Sequence, residues 1–144
     1  MKKRELKELI EQGEGYFVEF KEQIGVSLDK EMIAFANASG GKIVIGVTDK
    51  GKIIGCTTDN TVRSKIQDIA NNCDPRIPIH VETVRYEGVK LFVVSVEESF
   101  DKPVCFSKVL PKQRYLIGRI LRLIYFLTMK MHFAFYSSIS NLST

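Results

Sequence analysis

The chain has 144 residues, of which 44% are hydrophobic and 26% are charged, as in an ordinary globular domain. The residues after Met1 are charged, and no apolar stretch of signal-peptide length follows them, so we expect a protein of the cytoplasm rather than a secreted one. The three cysteines lie far apart and form no CxxC pair. This spacing predicts reduced thiols and excludes both a disulfide framework and a zinc site.

The net charge of +4 is spread unevenly along the chain. Residues 1–107 hold 15 Lys and Arg and all 17 Asp and Glu, whereas residues 108–144 hold six basic residues and no acidic one. The basic balance of the whole chain therefore gives no argument that the first segment binds a polyanion.

The composition changes at about residue 107, so we predict a domain over residues 1–107 and an atypical basic, hydrophobic tail over residues 108–144. The tail has the composition of a frameshifted or truncated gene end. The alternative is a basic amphipathic helix over Arg119–Phe126 that binds a membrane surface or a partner. A spanning helix is excluded, because Arg119, Arg122 and Lys130 interrupt every window of about 18–20 residues that a span requires.

Apolar residues recur at helical spacing in three places, and each place is bounded by capping or breaking residues. The predicted helices run from Lys2 to Gln12, from a cap at Ser27 or Asp29 to Asn37, and from a cap at Thr58 or Asp59 to Asn72.

Alternating or β-branched stretches predict five strands. They are Tyr16–Lys21, Lys42–Val47, Lys52–Cys56, Ile79–Tyr86 and Val89–Val96. Turn residues join the second strand to the third and the fourth to the fifth, so we expect two hairpins. The element order predicts an α/β (α+β) fold, a two-layer sandwich in which two to three helices pack on one face of a mixed sheet of about five or more strands.

Three carboxylates and a lysine are the candidate catalytic groups. Glu14 and Glu19 point to opposite faces of an extended strand unless the backbone bends between them. If they converge with Asp49, the three could bind Mg²⁺ or Mn²⁺ and activate water, and Lys21 could neutralise a phosphate. The alternative, which spacing alone favours, is that Glu19 pairs with Lys21 or Lys42 on a solvated face and Asp49 only forms a turn.

The Asn37–Gly41 segment joins a predicted helix to a predicted strand. It reads either as a helix C-cap or as a turn whose exposed amides meet a phosphate. The chain has neither G-x-G-x-x-G nor G-x-x-x-x-G-K-[ST], so the sequence does not support a nucleotide cradle. Arg63, Lys65 and Arg76 could line a groove for phosphates, and the alternative is a solvated helix face.

Two segments, GEGYFVEFKE from Gly13 and AFANASGGKIVIGVTDKGKIIG from Ala34, contain three ordered motifs. The motifs are E-x-x-x-x-E-F-K, F-A-N-x-x-G-G and I-G-V-x-D-x-G-x-I-x-G. They closely resemble the Schlafen AlbA-like domain, and the resemblance covers about residues 5–106, continuing to Lys102-Pro103-Val104. The family then usually has Y-x-R-x-G-S, a pattern that this chain lacks.

The resemblance implies a DNA- or RNA-binding domain of a transcriptional regulator. In the animal Schlafen branch it implies a metal-dependent endoribonuclease, whose three carboxylates match Glu14, Glu19 and Asp49, with Lys21 beside them and Mg²⁺ or Mn²⁺ as the cofactor. A third expectation is a protein-interaction module that forms homo-oligomers through its sheet edges. The residues that we expect to contact nucleic acid are Lys21, Asn37, Ser39, Gly40, Gly41, Lys42, Arg63, Lys65 and Arg76.

Overall fold

The computed structural model describes residues 1–25 and 27–106. The predictions for the tail over residues 108–144 lie outside these described residues. The described elements are α1 (Lys3–Gln12), β1 (Val18–Lys21), α2 (Leu28–Asn37), β2 (Gly41–Ile45), α3 (Asn60–Asn71), β3 (Cys73–Asp74), β4 (Ile79–Tyr86), β5 (Val89–Val96) and β6 (Cys105–Phe106). Within this part of the chain, no helix is both long and apolar enough to cross a membrane.

The main sheet has four strands in the order β1-β2-β5-β4, and β3 pairs with β6 in a separate two-stranded sheet. β1 runs parallel to β2, and the other pairs are antiparallel. Glu87 and Gly88 form the two-residue turn between β4 and β5, and both have a positive φ, as a type I′ turn requires. This hairpin has the bounds that the sequence predicts, and the α+β class is confirmed.

The central strands bury side chains on both faces of the sheet. On β2, Ile43 and Ile45 join the core that includes α2 and α3, whereas Val44 joins a second core that includes Leu6 of α1. On β5, Phe92 joins the first of these cores and Leu91 joins the second. The expectation that all helices pack on one face is therefore wrong: α2 and α3 cover one face, and α1 covers the other.

The predicted strand over residues 52–56 is reduced to a single bridge between Val47 and Ile53. The cause is a close crossing of two glycines. Gly46 has a φ of 106°, and a Cβ on it would lie 2.9 Å from the backbone of Gly55. The backbone N–H groups of Ile54 and Gly55 both donate to Gly46 O, at 2.9 Å each, so this segment crosses the end of β2 instead of continuing the hairpin.

Candidate nucleic-acid interface

Glu14 protects the open edge of the main sheet. Its Oε1 accepts a hydrogen bond of 3.0 Å from the backbone N–H of Phe20, a residue of the edge strand β1. An exposed strand edge offers unpaired N–H groups to other chains, and a side-chain acceptor satisfies one of them. The structure therefore gives Glu14 a contact with its own backbone.

Glu19 and Lys21 point from β1 toward α2, where they form a charged triad with Glu31. Lys21 Nζ lies 2.9 Å from Glu19 Oε1 and 2.9 Å from Glu31 Oε1. The hydrogen bond that Lys21 donates to Glu19, together with its contact with Glu31, raises the pKa of Lys21 above its ordinary value despite opposing desolvation. Lys21 thus stays protonated, and its single positive charge is shared between two carboxylates of its own chain.

Asp49 lies exposed in the turn that follows Thr48. No group of three or more His, Cys, Asp or Glu side chains between residues 1 and 106, Val26 aside, is arranged to hold a metal ion. The structure therefore does not bring Glu14, Glu19 and Asp49 together as one ligand set. Metal-dependent cleavage by these residues stays a prediction.

The Asn37–Gly41 segment is held by internal contacts. Asn37 Nδ2 donates to Val104 O at 2.9 Å, and its Oδ1 accepts from Val104 N at 2.8 Å. A Cβ on Gly40 would lie 2.7 Å from Val96 O, and one on Gly41 would lie 2.4 Å from the ring of Phe35. These close contacts leave no room for a side chain at either position, which explains why both residues are glycine. Ser39 is exposed beside them.

Of the basic residues predicted to contact nucleic acid, some hydrogen-bond within the chain and others are exposed. Arg63 covers the edge of β4, because Nη1 donates to Val81 O at 2.6 Å and Nη2 donates to Thr83 Oγ1 at 3.1 Å. Lys42 donates to Ser95 Oγ at 3.4 Å. Lys65 and Arg76 are exposed, and Lys65 lines a cleft.

Two adjoining clefts lie at the end of the main sheet near the β4–β5 turn. The first, of about 710 Å³, is lined by Ile54, Gly55, Cys56, Thr57, Thr58, Asp59, Gly88, Val89 and Lys90. The second, of about 510 Å³, is lined by Glu22, Gln23, Ile24, Ile45, Ile54, Gly55, Cys56, Thr57, Val62 and Lys65. The four residues from Ile54 to Thr57 belong to both, so the clefts share a wall.

Two cations face each other beside the first cleft. Arg85 of β4 and Lys90 of β5 are direct partners in the antiparallel register, and both are exposed. Like charges directly opposite on neighbouring strands repel each other. An arrangement that costs stability in the free protein and that an anion would relieve is a candidate anion site.

Arg85, Lys90 and the clefts were not predicted from the sequence. The turn at Glu87-Gly88 was predicted, and a two-residue turn fixes the register of the strands on either side. The opposition of Arg85 and Lys90 could therefore have been found by counting outward from that turn. The clefts could not, because they depend on the crossing of Gly46 and Gly55.

The chain is similar to a known protein family and to solved structures. The family model described as Schlafen, AlbA_2 matches residues 14–120. The solution structure of the N-terminal domain of a Nitrosomonas europaea protein, named as related to the ATP-dependent DNA helicase RecG, is 25% identical with a TM-score of 0.61, covering 77% of this chain and 85% of that one.

The crystal structure of the DIP2311 protein from Corynebacterium diphtheriae is 19% identical with a TM-score of 0.50, and this likeness shows the fold alone. It covers 72% of this chain but only 23% of that one, so this chain spans a small part of the longer protein. The family match covers more than half of the chain, and it includes both the edge strand with Glu14 and the hairpin with Arg85 and Lys90. The chain belongs to the Schlafen AlbA_2 family.

Proposed function

We propose that this chain is a nucleic-acid-binding domain that contacts the phosphate backbone with the tip of the β4–β5 hairpin. The observation that carries the proposal is the direct opposition of Arg85 and Lys90, both exposed, across that hairpin. A phosphate placed between the two side chains offsets their mutual repulsion and supplies acceptors for both.

The distribution of charge supports a local contact of this kind. Residues 1–107 carry more acidic than basic residues, so the domain as a whole does not attract a polyanion. Binding then depends on the places where exposed cations are concentrated. The cations at the hairpin tip and cleft rim fit this requirement better than Lys21, whose charge is taken up by Glu19 and Glu31.

The comparisons support the ligand class. The Nitrosomonas relative is named as related to a DNA helicase, and the resemblance to the Schlafen AlbA-like domain implies nucleic-acid binding. A nucleic-acid-binding domain of a transcriptional regulator is the role that we propose on this basis. The metal-dependent endoribonuclease and the homo-oligomerisation module stay predictions, since no contact among the described residues favours either over binding.

The test is titration of labelled single-stranded DNA, duplex DNA and RNA with the full chain at several salt concentrations. Arg85→Gln/Lys90→Gln is expected to weaken binding about tenfold or more and to reduce the slope of log affinity against log salt by about 2. Lys3→Gln/Lys30→Gln removes the same charge from exposed lysines of α1 and α2 and serves as the control.

The control should leave the salt slope nearly unchanged. Equal losses in the two double variants would show that affinity follows bulk charge and would remove the hairpin tip from the site. Failure of the unaltered chain to bind any of the three nucleic acids would overturn the proposed function itself.

A further inference from the structure

We propose that the two adjoining clefts bind one unpaired nucleotide of the nucleic acid, with its phosphate in the first cleft and its base in the second. This inference rests on the proposed function and adds what that function leaves open, namely that the substrate is a single strand or an extruded base rather than an intact duplex.

The first cleft has the chemistry of a phosphate site. Lys90 brings an ammonium group, and Thr57 and Thr58 bring hydroxyl groups to the same lining. The one carboxylate of that lining, Asp59, already accepts a hydrogen bond of 2.8 Å from the backbone N–H of Val62 as the cap of α3. Lys90 and the threonine hydroxyls are the groups of this lining that suit an anion, and the Asp59 carboxylate lies in the same lining at the terminus of α3.

The second cleft has the chemistry of a base site. Its lining includes the aliphatic side chains of Ile24, Ile54 and Val62, and the 43% exposed Ile54 leaves apolar surface open to a ligand. Glu22 and Gln23 lie at the same cleft and can bond to the polar edge of a base. Proteins that hold an unpaired base combine apolar contact on its faces with hydrogen bonds to its edge.

The shared wall links the two halves. Ile54 to Thr57 line both clefts, so a ligand with an anionic part and a flat apolar part can occupy them together. A base inside a duplex is stacked and paired, and cannot enter a cleft of this kind without leaving the helix. Single-stranded nucleic acid can therefore occupy both clefts, whereas an intact duplex can place only a phosphate in the first.

Cys56 reports on occupancy, because it lies in the shared wall. It is half-buried, with its Sγ 3.3 Å from Ile45 O, whereas Cys73 and Cys105 are buried elsewhere. Alkylation of Cys56 by iodoacetamide, followed by mass spectrometry of the full chain, therefore measures access to the wall. The two buried thiols serve as internal controls for unfolding.

The probes are a 5′-phosphorylated single-stranded hexanucleotide, the same hexanucleotide with abasic sugars, and a blunt duplex long enough to stay fully paired, each at saturation. We expect the hexanucleotide to slow alkylation of Cys56 at least about fivefold, and the abasic strand and the duplex, which fill only the phosphate half, to slow it clearly less. Equal protection by duplex and single strand, or binding without protection, overturns the inference while leaving the proposed function intact.

A pair of variants tests the base half separately. Ile54→Ser should lower affinity for the hexanucleotide about tenfold and leave affinity for the duplex unchanged, since only an unpaired base contacts this side chain. Phe100→Ser, at a fully exposed aromatic residue outside both clefts, is the matched control and should change neither. Unchanged hexanucleotide affinity in Ile54→Ser counts against the inference, and loss of all binding by the unaltered chain overturns it together with the proposed function.

Discussion

Asn37 and Val104, 67 residues apart in the chain, hydrogen-bond to each other in both directions. The side-chain amide of Asn37 donates to Val104 O and accepts from Val104 N, as the backbone of a neighbouring strand would. The F-A-N-x-x-G-G and Lys102-Pro103-Val104 motifs are therefore one structural unit. Lys102 adds to it through a bond of 2.8 Å from Nζ to Ala38 O.

Replacing Asn37 should destabilise the fold rather than change ligand affinity directly. Asn37→Ala leaves the partly buried N–H and C=O of Val104 without partners and should lower the free energy of unfolding by about 1–3 kcal/mol. Urea unfolding followed by circular dichroism measures it, with Ser39→Ala as an exposed control that should change stability by less than about 0.5 kcal/mol. Equal stability of Asn37→Ala and the unaltered chain would contradict the structural role.

The glycine turn makes a second prediction, based on packing. Gly41→Ala places a Cβ 2.4 Å from the ring of Phe35, a side chain buried in the core. We expect a loss of about 1–3 kcal/mol in the free energy of unfolding, because the ring cannot move without displacing its neighbours. Gly15→Ala is the control, since that Cβ would meet no atom within 4 Å. Phe35→Leu in the Gly41→Ala background should recover part of the loss, and no recovery would point to a cause other than the ring.

Local signals predicted most of the fold correctly. The bounds of β4 and β5 follow from a turn within the hairpin itself, and α3 begins after Asp59, one of the two caps that the sequence offered. The failures are non-local. The position of α1 depends on the second apolar face of β2, and the loss of the strand over residues 52–56 depends on contact between Gly46 and Gly55.

The candidate site shows the same division. The sequence located Glu14, Glu19 and Lys21, and of the two partners that it offered for Glu19 on a solvated face, Lys21 is the one that the structure has, in a contact that lies against α2. It could not identify Glu31 as the second partner, because that contact requires α2 to lie over β1. The clefts depend on how three separate segments meet, and no spacing within one segment encodes that.

The charged triad predicts an asymmetric response to substitution. Lys21→Met leaves Glu19 and Glu31 facing each other, with the buried Oε2 of Glu31 already lacking a partner among the described residues. Because the three side chains are partly exposed, the expected loss is about 1–2 kcal/mol in the free energy of unfolding, and Lys21→Arg should retain most of the stability. A Lys21→Met protein as stable as the unaltered chain would show that the triad contributes nothing.

The pH dependence of the triad has a definite sign. The raised pKa of Lys21 means that the folded state holds this proton more tightly than the unfolded state. The stability that it contributes is complete below the ordinary lysine pKa, and it is lost only as the pH rises through the higher folded value. The difference in stability between Lys21→Met and the unaltered chain should therefore be constant from about pH 7 to about pH 9.

Cys73 gives the last prediction, a loss of stability in alkali. Burial, with smaller contributions from Asp29 and Cys105, raises the pKa of this thiol from 9.0 to about 11. The unfolded chain therefore releases the proton before the folded one does, and the free energy of unfolding falls as the pH rises from 9.0 toward about 11.

Cys73→Ala removes this titration and should show a shallower decline, smaller by about 1–2 kcal/mol at the alkaline end. Urea unfolding of both proteins across this pH range measures the difference, and Ser39→Ala, at an exposed residue that does not titrate in this range, is the control. Parallel declines in Cys73→Ala and the unaltered chain would show that other groups cause the alkaline loss.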